Sequence, residues 1–463
     1  MFFLDAGSSK PLVQQIVEHF QTLITEGKFH SGMKIPSIRS FAESHGVSVS
    51  TVVDAYDRLV AEGLLIPRQN AGFYVRSFQH GQYLAPEAGN LANVRFDSLW
   101  MLRRIWENRS VEINPGCGWM PESWMDDDSL RRNMRNVSNH SSGSMTGYGT
   151  PKGYLPLRWK ISDWLNEDEI FCPPEQLLMT NGAAHALGLL TQYLLARGDT
   201  VLVDEPGYSL LLFHLKRLGV NIVGVPWTAQ GPDPVAMEQL LKQYKVKVFF
   251  TNPRLHNPTG ASYTTATAHK TLQLADRHDF LIVEDDVCSD LDASTRRSLA
   301  SMDQLERVIY VSSFSKTISP SLRVGYIAAH PDLVEDLTQF KIMTGLTSSE
   351  VEERIAYQIL TDGRHRKYLK GLRDKLVQAQ DDTRRRLQQA GMLLFNQAHE
   401  GMFVWARHPR HADAHELSNQ ALNHDICLAP GHLFVHDKQV SPWLRFNVGY
   451  CASDKLYEFL AAA

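Results

Sequence analysis

A lysine set among hydroxyls, Ser312-Ser313-Phe314-Ser315-Lys316-Thr317, follows directly on an apolar run that ends at Val311, and Arg323 and Gly325 come shortly after. A lysine just beyond a strand can condense with an aldehyde to a Schiff base, while Ser313, Ser315 and Arg323 are suited to hold a phosphate. A lone loop lysine is ordinarily a solvated charge, so its companions decide. Glu284-Asp285-Asp286 also closes an apolar run. One of these carboxylates can keep a pyridine nitrogen protonated and make the ring an electron sink, although an acidic strand end is as often a structural cap or a metal ligand. Thr180-Asn181-Gly182-Ala183-Ala184 opens a helical stretch running to Leu195, whose free N–H groups and dipole favour phosphate. Asn257, in Asn257-Pro258-Thr259-Gly260, offers an amide to a ring hydroxyl, and Tyr208 offers a face to stack on a ring. Arg445, in Leu444-Arg445-Phe446-Asn447, offers a planar fork to a carboxylate. Taken singly, each of these also reads as a turn, a core aromatic or a strand-edge charge.

The elements that must position these groups are short apolar runs, Val201-Leu202-Val203, Val246 to Phe250, Leu281-Ile282-Val283 and Val308 to Val311, alternating with longer helical stretches. The alternation predicts an α/β fold around a mostly parallel sheet, in which ligands sit at the C-terminal strand ends. The polar clusters fall at those ends.

The first 77 residues follow a different pattern. Val13, Ile16, Val17, Phe20, Leu23 and Ile24 recur at helical spacing between Pro11 and Glu26. A short second helix opens at Pro36-Ser37, Gly46 turns the chain, and Ser48 caps a third helix striped by Val49, Val52, Val53, Tyr56, Leu59 and Val60. Leu64 to Ile66 and Phe73 to Val75 read as two strands joined by a turn, which makes a helix-turn-helix with a wing. Placed on double-stranded DNA, the third helix enters the major groove. Ser48, Ser50, Thr51 and Arg39 then face bases or phosphates, and Arg68 lies along the backbone. A small protein-interaction module fits the same order of elements. Composition does not separate the two, because residues 1–80 hold seven Lys or Arg and seven Asp or Glu. Residues 78–110 read as a polar connector followed by a docking helix from Arg95 to Glu107, and residues 111–463 as the α/β domain.

With 43% hydrophobic and 21% charged residues and a net charge of −4, the chain has the make-up of an ordinary globular protein and no overall basic bias toward nucleic acid. No apolar run approaches the roughly 20 residues that span a bilayer, and the N-terminus lacks a basic leader, so a cytoplasmic protein without a membrane partner is expected. Five scattered cysteines without paired spacing predict neither a metal site nor a disulfide framework.

The run from Pro11 to Leu65 resembles the DNA-binding domain of the GntR family of bacterial regulators. From about Ile113 onward the segments YGTPKGYLPLR, NPTG, SSFSKTISPSLRVGY and LRFNVGY resemble the fold-type I aminotransferases, and the fusion in this order resembles the MocR subfamily. The resemblance implies a transcription regulator that binds DNA through its winged helix and senses pyridoxal 5'-phosphate (PLP), or an amino compound condensed with it. It further implies Lys316 as the Schiff-base lysine, Asp285 at the pyridine nitrogen, Asn257 at the ring hydroxyl and Tyr208 on the ring face. Gly182, Ala183, Ala184, Ser313, Ser315 and Arg323 would surround the phosphate, with Arg445 at an effector carboxylate. In a head-to-tail homodimer, Tyr148 would reach the partner subunit's cofactor. Two positions depart from the family pattern. Val49 stands where an arginine is usual at the start of the recognition helix, and Cys288 stands where a tyrosine usually bonds the ring hydroxyl. A thiol is the weaker donor, so only vestigial transamination is expected. The competing reading is an aminotransferase with an appended DNA-binding-like domain.

Overall fold

The computed structural model describes residues 4–5, 7–8, 10–68, 71–76, 111–140, 145–294, 296–437 and 440–463. The expected connector over 78–110, with its docking helix, lies outside the described residues, as do Gln69 and Asn70 of the wing loop. The chain divides into two units, Met1–Asn93 and Val94–Ala463.

In the first unit, α1 (Leu12–Thr25), α2 (Ile38–His45) and α3 (Val49–Ala61) precede a hairpin of β1 (Leu65–Arg68) and β2 (Gly72–Val75). Serines start the two helices of the turn motif. Ser37 Oγ accepts from Ser40 N at 3.2 Å and Ser48 Oγ from Thr51 N at 3.1 Å, each satisfying one of the unpaired amides of a first helical turn. Between them Gly46 takes φ +64°, a left-handed cap that bulkier residues resist. Ile16, Phe20, Phe41, Val52, Tyr56 and Leu59 are buried against one another, and Tyr56 Oη donates to the Pro36 carbonyl oxygen at 2.9 Å. This ties α3 to the start of α2. The hairpin pairs antiparallel, from Leu65 opposite Val75 to Arg68 opposite Gly72.

The second unit is built on an eight-stranded sheet. Its strands are β3 (Leu177–Thr180), β4 (Thr200–Glu205), β5 (Asn221–Thr228), β6 (Gly231–Pro232), β7 (Val246–Thr251), β8 (Leu281–Asp285), β9 (Val308–Ser313) and β10 (Gly325–Ala328), in the order β3-β10-β9-β8-β7-β4-β5-β6. Strands β4, β5, β7, β8 and β9 run parallel, and β10 is antiparallel to both its neighbours. Successive residues alternate between two cores. Leu202, Phe249, Ile282 and Tyr310 enter one, while Val203, Phe250, Val283 and Ile309 enter the other, which is why these runs are apolar without interruption. A smaller antiparallel sheet of β11 (Leu393–Leu394), β12 (Phe403–Arg407), β13 (Ala429–Pro430) and β14 (Trp443–Asn447), in the order β11-β12-β14-β13, has its own core. The alternation of apolar runs predicts one mostly parallel sheet over residues 111–463, and the structure adds this second sheet to it. No helix of the described residues is long and apolar enough to cross a membrane.

The turn through Asn257 is pressed against the smaller sheet. Gly260 has φ +68°, and a Cβ there would lie 2.2 Å from the Phe403 carbonyl oxygen. Gly260→Ala therefore combines backbone strain with a clash against main chain that cannot swing away. It is expected to lower the stability of the full chain by about 2 kcal/mol or more, read as a drop in the urea midpoint.

Candidate functional site

The register of the large sheet gathers the expected groups at one edge. Gly325 lies opposite both Thr180 of β3 and Ser313 of β9, and Asp285 lies opposite Val311. Because β10 runs backwards, its first residue meets the last residues of its neighbours. Next to this row opens a cavity of about 1030 Å³, whose walls include Ala183, Tyr208, Asn257, Asp285, Lys316 and Arg445.

One end of the cavity is electropositive by construction. After β3 the chain turns at Gly182, with φ +79°, into the helix Ala183–Leu194. The amides of Ala183 and Ala184 fall in its first turn, where no preceding helical carbonyl can pair them, and both residues line the cavity. Arg323 lies across this helix start and donates from Nη2 to the Asn181 carbonyl oxygen at 3.2 Å. A Cβ on Gly182 would come within 2.6 Å of Arg323 Nη2, and one on Gly325 would lie 2.7 Å from the Gly182 carbonyl carbon. Both positions must be glycine for this approach. A guanidinium held at the positive end of a helix is electrostatically adverse unless an anion lies with it. Ser313 and Ser315 line the same end, which makes a cradle suited to a phosphate.

Lys316 stands on a 3-10 turn, Phe314–Lys316, directly after β9, and its Nζ donates to the Gly118 carbonyl oxygen. Burial lowers its pKa and so favours the neutral amine. Asp285 closes β8. Burial, reinforced by the charge of Asp286, raises its pKa to about 7. Its Oδ1 is shielded from solvent and has no hydrogen-bond partner, so the carboxyl lacks a group to complete it. A ligand bringing a proton donor to this oxygen would complete it. Asn252, which the sequence reading did not single out, connects the site. Its Nδ2 donates to the Asp285 carbonyl oxygen at 2.6 Å, and its Oδ1 accepts from Asn257 N at 2.7 Å. Asp286 points away into a buried ion pair with Arg254 and accepts from Tyr310 Oη at 3.0 Å. Of the three acids in the run, only Asp285 lines the cavity.

Tyr208, at the start of the helix Ser209–Leu218, forms a wall of the cavity. Cys288 also lines it, 3% exposed, and burial pushes its thiol up to about 12. Arg445, on β14, is sandwiched between the rings of Phe403 and Phe434 at 4.8 Å from each. Its Nη1 donates to Asn257 Oδ1 at 2.7 Å and its Nη2 to the Gly116 carbonyl oxygen at 2.6 Å, while Nε is buried without a partner. The groups expected at the ring hydroxyl and at an effector carboxylate are therefore bonded to each other, leaving the Asn257 amide N–H₂ as the donor side. Tyr148 is not part of this chain's cavity lining and is 85% exposed.

In the first unit Arg39 is exposed on α2 and Arg68 is exposed at the end of β1, with its guanidinium 4.4 Å above the Tyr74 ring. Ser48 Oγ lies 2.8 Å from Ser50 Oγ and 2.7 Å from Thr51 Oγ1, so the three expected hydroxyls form one local cluster at the start of α3.

Raising the Asp285 pKa carries a sign. Between about pH 4 and 7 the folded chain keeps a proton that the unfolded chain has released, so this group's contribution to stability falls as pH rises through that window. Asp285→Asn cannot titrate. In cofactor-free protein, the urea midpoint of this variant relative to wild type is expected to rise between pH 5 and pH 7.5, and equal shifts at both pH values would contradict the assignment.

Residues 122–462 match the family model of aminotransferase class I and II, and residues 12–75 that of the bacterial regulatory proteins of the gntR family. The uncharacterized HTH-type transcriptional regulator YdfD of Bacillus subtilis is 27% identical over 96% of this chain and 94% of its own length. The HTH-type transcriptional regulator NorG of Staphylococcus aureus is 27% identical over 87% of this chain and 92% of its own. Among solved structures, the kynurenine aminotransferase of Pyrococcus horikoshii superposes with a TM-score of 0.73 at 24% identity, over 82% of this chain and 95% of that one. LysN, the α-aminoadipate aminotransferase of Thermus thermophilus, was solved with N-(5'-phosphopyridoxyl)-L-leucine. It superposes with a TM-score of 0.69 at 25% identity, over 77% and 91%. The chain belongs to the aminotransferase class I and II family and, through its N-terminal unit, to the GntR-type transcription regulators in which a winged helix is fused to an aminotransferase-like PLP domain.

Proposed function

We propose that this regulator holds PLP covalently on Lys316, and that an amino compound which takes the place of Lys316 alters the affinity of the winged helix for operator DNA. The observation that carries the reading is the unpaired, buried Oδ1 of Asp285 in the same cavity as a Lys316 amine whose pKa burial depresses. When bound, PLP supplies an aldehyde that reacts with primary amines and a pyridine nitrogen that accepts a proton. Asp285 then holds that proton, Tyr208 covers the ring, and the Asn257 amide meets the ring hydroxyl. Gly182, Ala183, Ala184, Ser313, Ser315 and Arg323 bind the phosphate. Arg445 receives an effector carboxylate by releasing Asn257. The exposure of Tyr148 suits a head-to-tail homodimer in which it enters the partner's site, and in this reading the regulator works in the cytoplasm, with its DNA.

An effector shifts a conformational equilibrium only by as much as its contacts differ between the two states. Exchange of Lys316 for a free amine changes those contacts at one point. Purified wild-type protein is expected to absorb visible light with PLP bound, and Lys316→Ala to lose that band while unfolding at a similar urea concentration. In gel shifts PLP should change the DNA affinity of the wild type and leave that of the variant unchanged. A variant that kept both the band and the response would remove Lys316 from the mechanism.

An aminotransferase function is the second reading, favoured by the completeness of the lysine, aspartate and arginine set. Cys288 sits where the ring hydroxyl needs a strong donor, and burial keeps its proton on sulfur. Half-reactions with a panel of amino acids are therefore expected to run slower than about 1 per second, below the range of dedicated enzymes. Faster conversion would favour the enzyme.

A further inference from the structure

The base-reading turn of α3 carries no cation. Its residues are Val49, Ser50, Thr51 and the buried Val52, and the next exposed side chain along the helix, Asp54, is acidic. The hydroxyls of Ser50 and Thr51 are held at Ser48 Oγ, 2.8 and 2.7 Å away. Val49 is the large apolar side chain left outside, 50% exposed, while Val52, Ala55, Tyr56 and Leu59 point into the core of the unit. It is also fixed in place. Gly46 in its left-handed conformation and the Ser48 cap set the start of the helix, and β-branching leaves valine essentially one side-chain rotamer in a helix.

A helix of this kind presents its N-terminal residues to base edges in the major groove. The apolar feature that those edges offer is the C5-methyl of thymine. We propose that Val49 is a specificity-determining residue that reads a thymine by packing its isopropyl group on that methyl. An exposed valine is otherwise unremarkable on a protein surface, and its position in the turn that meets the bases is what gives it this role. The inference rests on DNA binding by the first unit and adds which chemical group of the operator is recognised there.

The test uses the full-length protein and a duplex selected by it from a random pool, with each thymine replaced in turn by deoxyuridine, which removes only the methyl. Burial of one methyl corresponds to about a fourfold change in affinity. One thymine, with its symmetry mate in a two-fold site, is expected to show that loss in wild type. Val49→Ala, which trims a half-exposed side chain outside the core of the unit and should unfold at a similar urea concentration, is expected to bind the thymine and deoxyuridine duplexes equally. It should also bind the deoxyuridine duplex as wild type does, so that the two changes are non-additive. A site without a methyl-sensitive thymine, or one whose methyl effect persists in Val49→Ala, overturns the proposal. If no sequence is enriched at all, DNA binding by the unit fails first, and that failure shows at the selection step.

Discussion

Taking a carboxyl out of water and leaving one of its oxygens unbonded costs on the order of 1–3 kcal/mol or more, and this is the state of Asp285. The edge of the large sheet is arranged around that cost. Asp286, the next residue, adds to it by like charge even though its carboxylate is turned into Arg254 and Tyr310 and its amide is bonded to the Val311 carbonyl oxygen at 2.8 Å. Asn252 holds the main chain of Asp285 and of Asn257 at once, which ties the end of β8 to the loop after β7 beside the cavity. A buried acid that is held rigid, unsatisfied and beside an amine is stabilised by a ligand that brings a proton donor. In the proposed complex, ligand affinity and fold stability would be linked through this one oxygen atom.

Much of this was legible in the sequence because strand ends announce themselves. Runs such as Val308 to Val311 and Leu281 to Val283 are apolar on both faces and stop at polar residues, so Ser313, Lys316 and Asp285 could be placed at one edge from pattern alone. What pattern did not reveal were long-range partnerships. Asn252 and Arg254 look like ordinary loop residues until the fold brings Asp285 and Asp286 to them. The bond between Arg445 and Asn257 spans 188 positions of chain. The smaller sheet was invisible for a different reason. Two of its strands, Leu393–Leu394 and Ala429–Pro430, are two residues long, too short for any periodicity to register.

The winged helix illustrates how local signals can be complete while global ones are silent. Ser37, Gly46 and Ser48 mark the helix boundaries where the structure has them, within a residue or two. Charge counting is silent because a sum discards position. Arg39 is exposed on α2 and Arg68 is stacked on Tyr74, while acidic residues elsewhere on the unit cancel them in any sum.

The five cysteines, Cys117, Cys172, Cys288, Cys427 and Cys451, are separate thiols, and every one is buried. For Cys117, Cys172, Cys288 and Cys451 burial also raises the pKa, which withholds the thiolate through which sulfur reacts. All five lie in the second unit, Cys172 in the core beside the large sheet, Cys288 and Cys451 in the core of the smaller sheet and Cys427 in a third cluster with Trp405 and Phe434. Cys117, Cys172, Cys427 and Cys451 are therefore shielded from thiol reagents until a core opens, while Cys288 borders the ligand cavity. The thiols are thus an internal reporter of core opening, whereas exposed methionines such as Met343 and Met134 are open to oxidation in the folded protein.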